Sequence, residues 1–177
     1  MERLIIVSNR LPIKINEEEG ELKVTASSGG LATGLRSYHK NGNSLWIGWP
    51  GIDAETAEEK EQVEMLLKLE HCSPVYLDQE LIENFYEGFS NATLWPLFHY
   101  FTEYTKFDEK YWQAYQNVNQ KFADAIIKNT KDNDMVWVHD YQLLLVPELV
   151  RKVRPNLNIG FFLHIPFPSY EVLRILP

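Results

Sequence analysis

Cysteine is almost missing from this 177-residue chain: Cys72 is the only one. A single thiol cannot build an internal disulfide framework, so stability must come from a packed core. A reducing compartment, the cytoplasm, is the expected location. Long apolar runs are missing too, and none reaches the roughly 18 residues that a membrane-spanning helix needs. The opening residues Met1-Glu2-Arg3-Leu4 carry neither the basic nor the apolar region of a secretory signal, and no leader is expected. Positive charge is in deficit. Seventeen Lys and Arg stand against 25 Asp and Glu, and the net charge of -8 argues against a general nucleic-acid surface.

Several reactive patterns are absent as well. The histidines, His39, His71, His99, His139 and His164, form no H-x-x-x-H pair, so no metal site is expected. Ser27 and Ser28 lie in no G-x-S-x-G elbow, which argues against a serine hydrolase. Gly29-Gly30-x-x-x-Gly34 has the wrong spacing for a dinucleotide fingerprint, and no P-loop pattern occurs. Cys72 has no cysteine partner, and nothing supports a nucleophilic role for it.

What remains is the balance of a soluble globular domain, with 45% hydrophobic and 24% charged residues. Its length suits one domain with a sizeable core. The acidity is local. Residues 53 to 90 hold 11 acids and 2 bases, a pattern that suits a solvated helical face and says little about a ligand.

The order of patterns predicts an α/β fold with a mostly parallel sheet flanked by helices. Residues 3–8 form a short continuous apolar run, as a buried parallel strand requires. Period-two alternation at Leu11, Ile13 and Ile15, then at Leu22, Val24 and Ala26, brackets a polar turn at 16–20 and predicts a β-hairpin after the first strand. Further strands are expected at 45–48, 73–77, 135–138 and 158–163. Helices are expected at 31–40, 53–70 with Asp53 as N-cap, 78–89, 108–128, 142–153 and 171–176. Residues 91–107 are aromatic-rich without a clean period and are read as an ordered loop. The chain stops just inside a helical pattern, which suggests a truncated domain.

In an open parallel sheet, ligands bind beyond the carboxyl ends of the strands. Three predicted strands end in polar groups: Asn9-Arg10, His139-Asp140 and His164. Any one of them alone reads as an ordinary strand-end loop residue, but three on one edge point to a site. Ser27-Ser28-Gly29-Gly30 precedes a helix and could receive a phosphate on free N–H groups. It could equally be a plain helix entry with Ser28 as N-cap. Arg10 has the forked donors for a phosphate, or for a surface ion pair. Tyr86, Trp95 and Tyr100 could form an aromatic wall for a sugar, or simply belong to the core.

Six segments together resemble the trehalose-6-phosphate synthase family, in its order and across nearly the whole chain. They are V-S-N-R-L-P at 7–12, S-G-G-L at 28–31, W-I-G-W-P-G at 46–51, F-S-N-A-T-L-W-P-L-F-H-Y at 89–100, W-V-H-D-Y-Q-L-L at 137–144 and G-F-F-L-H-I-P-F-P at 160–168. The resemblance implies the N-terminal, Rossmann-like acceptor-binding domain of a two-domain (GT-B) retaining glucosyltransferase, spanning residues 1–177 without its nucleotide-sugar domain. It implies glucose transfer from UDP-glucose to glucose 6-phosphate, with no cofactor or metal beyond the nucleotide-sugar donor. Arg10 would bind the acceptor phosphate, helped by Tyr86 and Trp95, and Asp140 the acceptor hydroxyls. Gly29 and Gly30 would lie against the donor diphosphate, and His164 near the donor glucose 6-hydroxyl. Asp140 and His164 are thus the expected catalytic residues, although no protein nucleophile is implied. Gln142 replaces a histidine found in many relatives, and tuning rather than loss is expected. Other donors (ADP- or GDP-glucose), glycerol 3-phosphate as acceptor, or a non-catalytic sugar-phosphate sensor are the alternatives.

Overall fold

A computed structural model describes residues 2–18, 21–54 and 56–177. Its centre is β1 (Leu4–Arg10), whose Ile5, Ile6 and Val7 are wholly buried. A strand covered on both faces needs this continuous apolar run. It pairs in parallel with β4 (Ser44–Trp49) on one side and β6 (Met135–His139) on the other, placing Ile5 opposite Leu45 and Val136. The edges are β5 (Cys72–Pro74) and β7 (Asn158–Phe162), giving the order β5-β4-β1-β6-β7. Pro74 sits on an edge strand, where a missing N–H does least harm. Strand order reverses at β1, because the chain first builds outward through β4 and β5 and then returns to add β6 and β7.

The hairpin forms a separate two-stranded sheet, β2 (Ile13–Glu18) and β3 (Glu21–Ala26), with Ile13 opposite Ala26 and Ile15 opposite Val24. Glu19 and Gly20 of the predicted turn lie outside the described residues. Buried Ile13 and Ile15 place the hairpin on one face of the main sheet. There they join Ile6, Trp46, α1 (Gly30–Asn41) and α2 (Ala57–Leu69). The other face packs Ile5, Val7, Ile47, Val136 and Val138 against α5 (Glu109–Asn129) and α6 (Val146–Val153). Alternate β1 side chains therefore serve opposite cores, as the strand period dictates.

Four predicted boundaries are corrected. Helix α2 is capped by Thr56, not Asp53: the Thr56 hydroxyl accepts from the Glu59 N–H and the Glu59 carboxylate accepts from the Thr56 N–H. This capping box is the stronger start signal. Strand β5 is confined to Cys72–Pro74. The helix at 142 begins only at Val146, because Tyr141–Leu143 form a 3₁₀ turn and Pro147 suits the first helical turn. The stretch read as loop is largely helical. Helix α3 (Gln79–Leu81) runs through a π-helical segment, Ile82–Leu94, into α4 (Trp95–Phe98). A π-helix shifts the side-chain period away from 3.6, so its sequence shows no clean helical pattern. The last element is a short α7 (Tyr170–Leu173), which overlaps the predicted helix at 171–176 but begins one residue before it and stops earlier.

A buried histidine links α1, β4 and the α2–β5 turn. His39 Nε2 lies 2.9 Å from the Glu70 carbonyl and Nδ1 lies 2.8 Å from the Ser44 hydroxyl. A carbonyl only accepts, so Nε2 carries the proton and Nδ1 accepts from Ser44. Burial lowers the His39 pKa, and it pushes His139 down to about 4. Each is harder to protonate in the folded chain than in the unfolded one, where histidine titrates near pH 6.5, so the stability they confer is full above that value and declines below it, for His139 until about pH 4. We expect thermal unfolding followed by circular dichroism to lose about 2 kcal/mol at pH 5 relative to pH 7.5. The pH slope should shrink in His39→Gln; an equal slope would remove His39 as a cause.

Candidate functional site

Because every strand of the main sheet is parallel, β1, β4 and β6 end on one edge, at Arg10, Trp49 and His139. The reversal of strand order at β1 leaves a crevice there. A concavity of about 210 Å³ occupies it, bordered by Arg10, Gly29, Gly30, Tyr86, Asp140 and Gln142. An adjoining hollow of about 420 Å³ contains His164 and shares Gly30 and His139 with the first. Six predicted site residues therefore meet at one edge. Trp95 borders neither hollow; it is 41% exposed at the start of α4, with its ring stacked on His99 at 4.1 Å.

Arg10 is held by its backbone and free at its tip. The Trp46 indole donates to the Ser8 hydroxyl at 2.8 Å, and that hydroxyl donates to the Arg10 carbonyl at 2.7 Å. The guanidinium is exposed and lies 5.4 Å from the Trp49 ring and 5.2 Å from the Tyr86 ring. Among the described residues no carboxylate pairs with it, so the ion-pair alternative is not seen. Two aromatic rings flank the charge, and its hydrogen-bond donors have no partner among the described residues. Trp49 belongs to the W-I-G-W-P-G segment at 46–51. Its indole N–H is buried with no partner among the described residues.

Gly29, not Ser28, is the N-cap of α1, and no side chain caps this end. Its φ of 153° favours glycine. A Cβ at Gly29 or Gly30 would meet nothing within 4 Å, so the glycines are not demanded by packing. With no acid in the first turn, the positive end of the helix is uncompensated by its own side chains.

Asp140 follows β6 with φ 76°, an unfavourable conformation for a non-glycine residue, and such strain concentrates at functional sites. It is fixed by several bonds. Its N–H donates to the Phe162 carbonyl at 2.8 Å. Its Oδ1 accepts from the N–H groups of Tyr141 at 2.9 Å and His164 at 3.3 Å. Below it, the Tyr115 hydroxyl donates to the Tyr141 carbonyl at 2.7 Å. The Tyr141 hydroxyl donates to Asn91 of the π-helical segment at 2.9 Å, which ties Asp140 to the element carrying Tyr86. Sequence reading missed this support, because Tyr115 has the same spacing as the apolar residues around it on α5. Chemically, the edge offers a guanidinium between rings, an uncapped helix N-terminus and the Asp140 Oδ2, none of them paired with a side chain among the described residues. These suit two anionic groups and sugar hydroxyls.

Residues 2–177 match the family model described as glycosyltransferase family 20. The chain is 49% identical to the UDP-forming α,α-trehalose-phosphate synthase of Botryotinia fuckeliana, covering 99% of this chain and 34% of that relative. It is 46% identical to the bifunctional trehalose-6-phosphate synthase/phosphatase of Thermoproteus tenax, covering 99% of this chain and 24% of that protein. Among solved structures, the UDP-forming α,α-trehalose-phosphate synthase of Burkholderia xenovorans superposes with a TM-score of 0.75 at 35% identity, over 100% of this chain and 35% of that one. A Burkholderia xenovorans synthase in complex with glucose-6-phosphate gives a TM-score of 0.74 at 28% identity, over 100% and 36% of the two chains. The chain spans about a third or less of the length of these relatives.

Proposed function

The chain belongs to glycosyltransferase family 20, and from that premise we propose that it is the N-terminal, acceptor-binding domain, residues 1–177, of a retaining glucosyltransferase. The full-length protein transfers glucose from UDP-glucose to glucose 6-phosphate and forms α,α-trehalose 6-phosphate. The observation that carries this reading is the exposed Arg10 guanidinium between Trp49 and Tyr86, at the same edge as the open Gly29-Gly30 turn and Asp140. Arg10 takes the acceptor phosphate, helped by Tyr86 beside it and by Trp95. Asp140 accepts hydrogen bonds from acceptor hydroxyls. Gly29 and Gly30 face the donor diphosphate, and His164 contacts the donor glucose.

No side chain need attack the sugar. The acceptor hydroxyl bonds to the anomeric carbon on the face from which UDP leaves, and its proton passes to the departing phosphate. The protein aligns the two sugars. Cationic groups and backbone N–H groups stabilise the charge that develops on the diphosphate. Much of that clamp, and the nucleotide pocket, belong to the part of the protein beyond residue 177. The lone cysteine and net negative charge support a cytoplasmic protein that does not act on nucleic acid.

The test is UDP release from UDP-glucose and glucose 6-phosphate, with the product's anomeric configuration read by NMR. The full-length protein is expected to turn over and to give the α,α product, while the 177-residue chain alone is nearly inactive. Full turnover by the isolated chain would overturn the two-part site. Absence of sugar transfer by the full-length protein would overturn the enzyme assignment.

A further inference from the structure

His139 has no task in the reaction just described, yet it is the most confined titratable side chain at the cleft. It ends β6, is 1% exposed and borders both hollows. Its Nδ1 lies 3.1 Å from Nε2 of His164, and the two rings stack at 5.3 Å. Its Nε2 is buried and has no partner among the described residues, and its ring lies 4.4 Å from that of Trp137. An unpaired buried polar atom is costly, so the other ring nitrogen must carry whatever hydrogen bond this side chain makes.

We propose that His139 is a positioning residue that donates its Nδ1–H to His164 Nε2 and thereby holds His164 in the Nδ1–H tautomer, with that N–H as its one ring donor. The role for His164 rests on the function proposed above; the tautomer does not. Each step follows from proton counting. Burial keeps His139 neutral at pH 7, so it owns a single ring proton. Placed on Nε2, that proton would be a buried donor with no acceptor. Placed on Nδ1, it leaves only a bare lone pair in the apolar pocket, and unpaired buried N–H groups are rarer than under-satisfied acceptors. His164 Nε2 must then accept, and a neutral His164 carries its proton on Nδ1. Imidazole in water prefers the other tautomer, so the contact inverts the ordinary preference. The His164 backbone is anchored as well, because its N–H donates to Asp140 Oδ1 at 3.3 Å. A sugar oxygen beside His164 would therefore meet a fixed donor and not a base.

The tautomer is measurable in the full-length protein with ¹⁵N-labelled histidine, by long-range ¹H–¹⁵N spectra at pH 7.5. The His164 signals are assigned by their loss in His164→Gln. A protonated Nδ1 and an unprotonated Nε2 on His164 are expected. His139→Phe should release His164 to the Nε2–H form, and His139→Asn, whose amide N–H stands near the lost Nδ1–H, should restore Nδ1–H. In the transfer assay, His139→Phe should lower kcat/KM by up to about 100-fold, with the asparagine variant regaining most of it. An Nε2–H tautomer in the wild type overturns the proposal, and so does an unchanged tautomer in His139→Phe. The wild-type spectrum decides the point even if His139→Phe does not fold. If the tautomers behave as expected but the wild type transfers no glucose, the hydrogen-bond lock stands and the transferase reading falls.

Discussion

Arg10→Ala in the full-length protein is expected to weaken glucose 6-phosphate binding by roughly 1.5–3 kcal/mol, a loss of about 10- to 150-fold. The reason is the state of the guanidinium before ligand arrives. It pairs with no carboxylate among the described residues, and the Trp49 and Tyr86 rings border it. Its charge is therefore not spent on an internal partner, and binding phosphate breaks no existing salt bridge. Bidentate contact with phosphate oxygens suits this planar fork, and Arg10→Lys should recover only part of the loss because ammonium neither forks nor stacks as well. Calorimetry with glucose 6-phosphate, and competition with unphosphorylated glucose, separates the charge effect from general damage. The phosphate's contribution to affinity should shrink in Arg10→Ala. Equal glucose 6-phosphate affinity in wild type and variant would remove Arg10 from the acceptor site.

The sheet was legible from sequence because its signal is simple. Continuous apolar runs mark β1 and β6, and the alternation of Ile13 and Ile15 marks the hairpin. The polar residues that end those runs, Arg10 and His139-Asp140, reach one edge because parallel strands share direction. Periodicity could not reveal the helix through Phe98, since the π-helical segment Ile82–Leu94 keeps a different side-chain period. Nor could it reveal contacts between residues distant in sequence. The Tyr141–Asn91 bond spans 50 positions and His139–His164 spans 25. Gly29 is a related case. Serine is the commoner N-cap and Ser28 the expected one, but the first helical bond, from the Thr33 N–H to the Gly29 carbonyl at 2.9 Å, starts the helix one residue later. The six-segment resemblance reached further than periodicity did, because each segment carries the geometry of a whole fold in its order. It gave Trp49 no role of its own, although that ring is one of the two beside Arg10.

Gly48→Ala is expected to destabilise the domain by about 3 kcal/mol, at the upper end for an overfilled core. An added Cβ would lie 2.8 Å from the Ser8 carbonyl oxygen, 2.9 Å from the Arg10 carbonyl carbon and 2.9 Å from the Leu11 nitrogen. All three are backbone atoms, so no rotamer change relieves the contact. The crowding has a structural origin. Pairing between β1 and β4 is regular from Leu4 to Val7, then shifts before Arg10 meets Trp49. That irregularity brings the end of β1 over Gly48, and the Leu11 N–H donates to the Trp49 carbonyl at 3.0 Å to hold it there. On its other side Gly48 is tied to the edge strand, where its carbonyl accepts from the Val75 N–H at 2.9 Å. Alanine must therefore push β1 outward, and Arg10 moves with it. Thermal unfolding should fall by about 6–12 °C for a chain of this size. Gly34→Ala is the matched control. A Cβ there meets nothing within 4 Å inside α1, and replacing glycine in a helix should leave stability equal or slightly higher. Equal melting of Gly48→Ala and wild type would mean that the crossing of β1 over β4 is looser than its geometry implies. The cleft edge would then owe its placement of Arg10 to something other than this contact.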